Sequence, residues 1–433
     1  MNRVITHKHS VMKTSFFKRQ IEHIIHGGVS ELFRKIRIVQ NLIVKCLNEH
    51  THTLLFLPFV IMIRFLKPFI IIRFGPLKSN RIGHFAANTE VYLCERNQNI
   101  LTKKYKDFFY LKLPVSNQQL LIMWKRKKLK IYQIVKYIEK ANRTLPGGKR
   151  HHLILPSDRD VKGYFPHSRP SLYFTDTETK KGKLFLNTFR HLEDNRFVCF
   201  HGRDPAYFRN FERNTGRLHS SIHNYRNSDI ENFVLAMKKL SKKGYYVFRM
   251  GSLVNKSLDI HDSKIIDYAT NGMRTDFLDI FLSANCRFFV GNSSGLDSVA
   301  SIFRVPLLTL NEAPLEYAMT YLKNTIFIPK KLWIINERRF MKFSEIFESG
   351  AGRFTHTEQY NELGLDVIEN TPKEIKDAVS EMEARLDNLW SENKEDEKLQ
   401  KRFWELFPRS ELHGKIRSRI GAAFLRQNID LLG

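Results

Sequence analysis

The second half of the chain repeats one pattern, a short apolar run, a polar loop and a helical stretch, and this pattern constrains the fold more than any other feature. Strands are expected at 197–200, 245–250, 287–290 and 306–310, and helices at 229–243, 276–285 and 295–303. Strands and helices that alternate at this spacing are typical of parallel βαβ units. The sequence therefore predicts a Rossmann-like sheet in this half and an α/β fold class for the chain.

Ligands of such sheets collect beyond the carboxyl ends of the strands, so the loops after the predicted strands are the expected place for a site. Polar, basic and glycine residues of these strand ends and loops are His201, Arg203, Arg249, Gly251, Asn292, Ser293, Ser294, Gly295, Asn311 and Glu312. The third loop, GNSSG, leads into a helix, whose free amides and dipole favour an anion. Arg203 adds a permanently charged, bidentate donor for the same phosphate. The loop is also typical of an ordinary helix N-cap, and that alternative stays open.

A matching feature opens the earlier half. The stretch 73–84 contains glycines and leads into a predicted helix that carries His84, Asn88 and Glu90. A histidine beside Gly83 on such a loop is the first candidate for a general base, with Glu90 as the second. His84 as a helix cap, and Asn88 and Glu90 as helix-surface groups, are the alternatives.

The net charge of +27 is concentrated in two blocks near the N-terminus. Residues 1–80 contain 13 Lys+Arg and 3 Asp+Glu, and residues 101–150 contain 14 and 2. A balance this basic indicates an anionic partner, which can be nucleic acid, an acidic membrane face or a phosphate-bearing small molecule. Both blocks lie outside the predicted sheet, and no zinc-finger or RNP-like motif accompanies them. We therefore expect an anionic membrane surface and no specific nucleic acid.

The segment 54–72, LLFLPFVIMIRFLKPFIII, is almost long enough to span a bilayer, but Arg64 and Lys67 interrupt it. We expect it to lie in the membrane interface, together with the amphipathic stretch 16–47; an amphipathic segment packed on its own domain is the alternative. Four scattered cysteines and the lack of a secretory pattern in residues 1–30 favour a reducing compartment. The expected location is the cytoplasm, at the inner face of the cytoplasmic membrane.

Further stretches run in order from residue 73 to the end, among them RFGPLKSNRIGHFAANTEVYL, FVCFHGRDPAYF, KKGYYVFRMG and CRFFVGNSSGLDSVASIFRVPLLTLN. This ordered set resembles a family of bacterial glycosyltransferase-like proteins associated with surface-polysaccharide clusters. His201-Gly-Arg203 is similar to a motif of GDP-fucose-dependent fucosyltransferases, whose arginine contacts the donor diphosphate. The Ser293-Ser-Gly295 loop resembles the donor-phosphate loop of GT-B heptosyltransferases.

The resemblance implies a GT-B-like architecture, with two Rossmann-like domains facing a cleft and a basic helical N-terminal extension. The expected parts are a membrane-associating segment at 1–72, an acceptor domain at 73–190, a nucleotide-sugar donor domain at 191–375 and C-terminal helices at 376–433 that pack back on the first domain. The last of these helices is expected at 417–432.

The implied activity is transfer of a sugar from a nucleotide-sugar donor to a glycan or lipid-linked acceptor. Arg203 and the GNSSG loop are expected to stabilise the leaving diphosphate, with Arg249, Gly251, Asp276, Asn311 and Glu312 around the rest of the donor. No metal is expected, because the acidic pairs Asp158/Asp160 and Asp176/Glu178 do not follow buried strands. A nucleic-acid-binding protein and a non-catalytic nucleotide-sugar-binding protein are the alternatives.

Overall fold

The computed structural model describes residues 51, 54–98, 105–190, 196–206, 209–210 and 221–433. The predicted amphipathic stretch 16–47 lies outside these residues. The α-helices are α1 (Leu57–Phe65), α2 (Ile82–Gln98), α3 (Gln118–Arg126), α4 (Val135–Thr144), α5 (Asp176–Leu186), α6 (Val234–Lys242), α7 (Asp276–Asn285), α8 (Gly295–Ile302), α9 (Phe343–Glu348), α10 (Thr357–Glu362), α11 (Pro372–Leu386), α12 (Lys394–Leu406) and α13 (Ala422–Gln427). The strands are β1 (Ile71–Leu77), β2 (Tyr105–Leu111), β3 (Lys130–Ile131), β4 (Phe197–Phe200), β5 (Tyr246–Arg249), β6 (Ile265–Ile266), β7 (Phe289–Gly291), β8 (Leu307–Glu312), β9 (Thr325–Pro329), β10 (Lys331–Ile334), β11 (Arg339–Phe340), β12 (Leu365–Ile368) and β13 (Arg419–Ile420).

A seven-stranded parallel sheet with the order β13-β9-β8-β7-β4-β5-β6 forms the centre of the described residues. Strands β4 and β5 are buried along their whole length, which explains why β4 is a continuous apolar run and β5 is one up to Arg249. The α/β fold class predicted from the sequence is confirmed.

The order of the strands reverses beside β4. From β4 the chain adds β5 and β6 on one side, then crosses over and adds β7, β8 and β9 on the other side. In open parallel sheets, ligands bind at such a reversal, beyond the carboxyl ends of the strands. Here those ends are followed by residues 201–203 and 292–294, which are the two loops that the sequence analysis singled out.

The helix boundaries follow local capping signals. Thr275 precedes α7 and accepts a hydrogen bond from the Leu278 amide at 3.1 Å. Thr371 and Glu374 form a capping box at the start of α11, with Pro372 at its first position. The predicted helix at 229–243 is a 3₁₀ turn followed by α6. The expected helix at 417–432 is wrong, because β13, α13 and a final 3₁₀ turn replace it.

Two smaller sheets accompany the large one. Strands β11, β10 and β12 form an antiparallel sheet, and β1, β2 and β3 form a third sheet in the described part of residues 73–190. Contacts between residues divide the chain into two units. The first comprises residues 1–75, 104–108 and 133–153, and the second comprises residues 76–103, 109–132 and 154–433. Within the described residues, every helix is too short or too polar to cross a bilayer.

Helices α2 and α8 meet at their first turns through two glycines of the second unit. A Cβ atom added to Gly83 would lie 2.9 Å from the Cα of Gly295, and one added to Gly295 would lie 2.7 Å from the Cγ2 of Ile82. Distances below 3.0 Å force a shift of the neighbouring atoms. The glycines therefore allow the residues after Arg81 to contact the residues after Ser294.

We expect the substitution Gly83→Ala to destabilise the protein by roughly 1–3 kcal/mol, the usual cost of an overpacked contact. Alanine ordinarily stabilises a helix relative to glycine, so the sign of the change isolates the contact. The free energy of unfolding in urea measures it, with the exposed Asn97→Ala on the same helix as the control. An increase in stability for Gly83→Ala would contradict the close approach of α2 and α8.

Candidate functional site

Two arginines meet where the large sheet reverses its order. Arg203 follows β4, and Arg226 ends a 3₁₀ segment at Ser221–Arg226. Asn292, after β7, fixes both of them: its Oδ1 accepts from the Arg203 amide at 3.1 Å, and its Nδ2 donates to the Arg226 carbonyl at 3.1 Å. Arg226 in turn donates from Nη2 to the carbonyl oxygen of Ser293. The predicted loop therefore holds two arginines in place, of which the sequence indicated only one.

The charge around these arginines is strongly positive. Burial, with Arg226 and Arg81 as neighbours, lowers the pKa of Arg203 to about 9. Burial also lowers the pKa of Lys330, which follows β9, to about 8, and Arg203 contributes to that shift. We call Arg81, Arg203, Arg226 and Lys330 the basic cluster. Cations that lie this close together repel one another, and a bound anion stabilises them.

The Ser293 hydroxyl is already used within the protein. It donates to the carboxyl group of Glu312, which lies at the end of the neighbouring strand β8. Ser293 also adopts a left-handed backbone conformation with φ of 54°, which costs a residue other than glycine about 1–3 kcal/mol. Burial raises the pKa of Glu312 to about 7. A carboxyl group that changes charge near neutral pH therefore lies against the loop, at the end of β8.

The Ser294 hydroxyl is likewise bonded internally. Its Oγ donates to Asp297 Oδ1 at 2.8 Å, and the Ser294 amide donates to Asp297 Oδ2 at 3.1 Å. Nδ1 of His201 lies 2.9 Å from the same Oγ. Because the hydroxyl group of Ser294 donates its hydrogen to Asp297, Nδ1 of His201 carries a hydrogen and donates it to Oγ. Burial, with the nearby Arg249 and Arg203, lowers the pKa of His201 to about 4, so the ring is neutral at pH 7. The hydroxyl groups of Ser293 and Ser294 thus both have hydrogen-bond partners within the protein.

His84, on the first turn of α2, has the geometry of a base. Its Nδ1 lies 3.2 Å from Asp158 Oδ2 and 3.1 Å from Asn88 Oδ1. Asn88 donates from Nδ2 to the Pro156 carbonyl, which turns its Oδ1 toward the ring. Two acceptors at Nδ1 fix the proton there, which leaves Nε2 as the atom that can accept a proton.

The second member of this pair is Asp158. Partial burial raises its pKa, but the hydrogen bond and charge of His84 outweigh that effect and lower the pKa to about 2. Asp158 is therefore a carboxylate at neutral pH and can stabilise a positively charged His84.

Glu90, the second predicted base, lies in a different environment. Its side chain is fully buried, and Oε1 accepts from Arg304 Nη2 at 2.8 Å and from the Ser171 amide at 3.1 Å. Burial and these partners separate its carboxyl group from solvent. We therefore assign Glu90 to the packing of α2 and retain only His84 as a candidate base.

Other predicted donor-binding residues are engaged elsewhere. Arg249 is buried and donates to Asp267 Oδ1 at 2.9 Å, and a Cβ atom on Gly251 would lie 2.9 Å from the Val254 side chain. Asp276 Oδ2 accepts from the Gln118 amide at 2.7 Å. These contacts give the three residues positions in the fold, and none of the contacts is with a residue of the basic cluster.

Asn311 precedes Glu312 and forms a reciprocal pair with Asn370. Each amide N–H donates to the other residue's Oδ1 at 2.6 Å, and Asn311 has a left-handed φ of 52°. The pair fixes the end of β8, and with it the carboxyl group of Glu312. Asn311 therefore acts on the site through the backbone.

No group of three or more His, Cys, Asp or Glu side chains suited to a metal ion occurs among the described residues. Three of the four acidic residues considered above have other partners. Asp158 binds His84, Asp160 accepts from the amides of Tyr164 and Phe165 at 2.7 Å, and Glu178 binds Arg126.

Sequence reasoning missed Arg81, Arg226, Lys330 and Asp158. Lys330 could have been found, because it follows β9, a strand of the same parallel sheet. The strands predicted from the sequence ended at 306–310, one strand before β9. Arg226 lies on a 3₁₀ segment and carried no periodic signal. In a chain with 71 Lys+Arg, a basic residue alone marks nothing.

No protein-family model matches the chain, and no curated protein sequence matches it. Solved structures with a similar fold include the E. coli ADP-heptose LPS heptosyltransferase II, at 12% identity, 73% coverage of this chain, 99% of that chain and a TM-score of 0.38. A family 9 glycosyl transferase from Veillonella parvula aligns at 9% identity over 68% of this chain and 96% of its own, with a TM-score of 0.39. The E. coli heptosyltransferase WaaC, solved with ADP-2-deoxy-2-fluoro heptose, aligns at 11% identity over 60% and 93%, with a TM-score of 0.29.

Proposed function

We propose that the protein is a glycosyltransferase that moves a sugar from a nucleotide-sugar donor to a glycan or lipid-linked acceptor in the biosynthesis of a surface polysaccharide. The observation that carries this proposal is the basic cluster at the reversal of the sheet. Its four cations exceed the charge of the three carboxyl groups nearby, those of Glu312, Asp297 and Glu369, the last of which lies 3.9 Å from Lys330 Nζ. A diphosphate supplies the missing negative charge.

The proposed reaction breaks the bond between the anomeric carbon of the sugar and the diphosphate oxygen. Negative charge develops on that oxygen, and cations already held in place by the protein stabilise it without reorganisation. Arg203 and Arg226 have this role in our proposal. Because arginine and lysine provide the compensating charge, we propose that transfer does not require a divalent metal ion.

The acceptor hydroxyl must lose a proton in an inverting transfer. We propose that His84 Nε2 takes this proton, while Asp158 holds the ring and stabilises its positive charge. The hydroxyl oxygen then bonds to the anomeric carbon as the diphosphate leaves. A retaining transfer, which needs no such base, predicts that His84 is dispensable.

We propose that the enzyme works in the cytoplasm at the inner face of the cytoplasmic membrane. The concentration of basic residues before residue 151 supports this location, since the cytoplasmic leaflet attracts Lys- and Arg-rich segments.

Replacing Arg203 or Arg226 by alanine is expected to weaken donor binding by roughly 10- to 100-fold, the usual cost of losing a charge-assisted hydrogen bond. Thermal stabilisation by GDP, UDP, CMP and ADP sugars identifies the donor, and calorimetric titration then measures its affinity. The half-buried Arg339→Ala, which removes a cation that binds Glu345, serves as the control. Unchanged donor affinity in a folded Arg203→Ala protein would overturn the site, and binding without turnover of any acceptor would favour a non-catalytic binding protein.

The pair His84 and Asp158 makes a separate prediction. His84→Gln should lower kcat by about 10²–10⁴, the range for loss of a general base, and leave donor affinity unchanged. Asp158→Asn should lower kcat by a smaller factor. The exposed His261→Gln is the matched control. Full activity of His84→Gln would exclude His84 as the base.

Donor affinity should fall as the pH rises from 6 to 9. Glu312 becomes negatively charged near pH 7, beside the bound phosphates, and Lys330 loses its positive charge near pH 8. The phosphates of a nucleotide sugar stay ionised throughout this range, so the protein causes the change. Glu312→Gln should remove the step near pH 7 and keep the one near pH 8, as measured by calorimetry across this range.

Protein stability provides an independent check on Glu312. Its pKa is raised in the folded state, so its protonated form contributes stability that is present below about pH 4.5 and is lost as the pH rises through about 7. Glu312→Gln should therefore raise the melting temperature more at pH 8 than at pH 5, relative to the wild type. An equal shift at both pH values would show that Glu312 titrates normally.

A further inference from the structure

Helix α1 and its flanks expose an apolar surface. The helix has only two buried side chains, Val60 and Ile63. The large apolar side chains exposed around them, by 41–81%, are those of Leu54, Leu55, Phe59, Ile61, Met62, Phe65, Leu66 and Phe69. Phe59 and Met62 lie three residues apart on one face of α1, and the other exposed apolar side chains lie on the helix or on the short flanks next to it. Exposed apolar side chains concentrated in residues 54–69 mark an interaction site.

The charged residue within α1 points into the protein. The guanidinium of Arg64 donates to Asn142 Oδ1 at 2.8 Å, and further bonds reach the carbonyl oxygens of Asn142, Leu145 and Pro146. Arg64 thereby binds the carbonyl groups at the end of α4, which otherwise lack partners. Of the two cations that interrupt the apolar segment in the sequence, Arg64 is therefore withdrawn from the exposed face, while Lys67 is exposed beside it.

The residues that accompany α1 in the first unit are basic. The ranges 54–75, 105–108 and 133–153 contain nine Lys+Arg and two Asp+Glu. Both acids already bind arginines, Asp107 to Arg73 and Glu139 to Arg143. This balance complements an anionic surface and opposes a second copy of the chain, which would bring the same charges face to face.

We propose that α1 and its flanks, residues 54–69, dock in the interfacial region of an anionic lipid bilayer, with the helix axis parallel to the membrane plane. The phenylalanine and leucine side chains enter the boundary between headgroups and acyl chains, while basic side chains such as those of Lys149 and Arg150 contact the headgroups. This is the arrangement of monotopic helices. The proposal concerns the first unit and does not depend on the donor chemistry of the second.

Flotation of the full-length protein with vesicles tests this docking. The protein should bind vesicles of phosphatidylcholine and phosphatidylglycerol, and bind phosphatidylcholine alone much more weakly. Phe65→Glu combined with Phe69→Glu should lower the vesicle partition coefficient at least about tenfold, the effect of leaving even one phenylalanine ring in water. Leu184→Glu combined with Leu389→Glu, at equally exposed apolar positions elsewhere, should leave it unchanged. Equal binding by both double variants would overturn the proposal.

Further measurements distinguish the other occupants of this surface. Lys149→Glu combined with Arg150→Glu should reduce the preference for phosphatidylglycerol by at least about 25-fold, because each basic residue near the surface contributes about a factor of five. A dimer in sedimentation that Phe65→Glu dissociates would identify a second copy as the partner and contradict membrane docking. A large fall in melting temperature for the Phe65/Phe69 variant would show that the chain covers this face itself, which also contradicts it. Donor-induced thermal stabilisation, measured in parallel without vesicles, should be the same in all these variants and reports on the proposed function alone.

Discussion

Arg203 and Arg226 repel each other, and the protein nevertheless holds them side by side at the carboxyl ends of β4 and β7. Asn292 binds the backbone of both, and Arg226 binds the loop that begins α8. The cost of this arrangement is visible in the pKa of Arg203, which burial and its basic neighbours lower to about 9. The fixed backbone around the two arginines keeps them together despite their repulsion. A bound anion removes the free-energy cost of this repulsion.

The carboxyl groups of the site offset part of the positive charge of these cations when they are ionised. Glu312 and Asp297 accept hydrogen bonds from the hydroxyl groups of Ser293 and Ser294, and both carboxyl groups are buried. A protonated Glu312 removes one negative charge from the place where the donor's phosphates are proposed to bind. Ser293 and Asn311 have left-handed backbone conformations and keep Glu312 in this position. The backbone strain at these two residues therefore helps to place the Glu312 carboxyl group beside the cations.

Much of the large sheet could be predicted from the sequence, because its strands are buried on both faces and appear as uninterrupted apolar runs. The same reasoning located Arg203 and the GNSSG loop, since strand ends in a parallel sheet converge. Arg226 and Asp158 could not be found in this way, because they lie in segments without helical or strand periodicity. The contacts that Arg249 and Glu90 make were not predictable either. Arg249 binds Asp267 and Glu90 binds Arg304, and no pattern in the sequence marks these partners. The break in the expected C-terminal helix arises from β13, a two-residue strand too short to leave a pattern.

The most direct test of the basic cluster is a crystal structure of the protein with the nucleoside diphosphate that stabilises it best. The account predicts that the diphosphate lies between Arg203 and Arg226, with its oxygens within about 3 Å of both guanidinium groups. A diphosphate bound elsewhere, with both arginines in their present contacts, would contradict it.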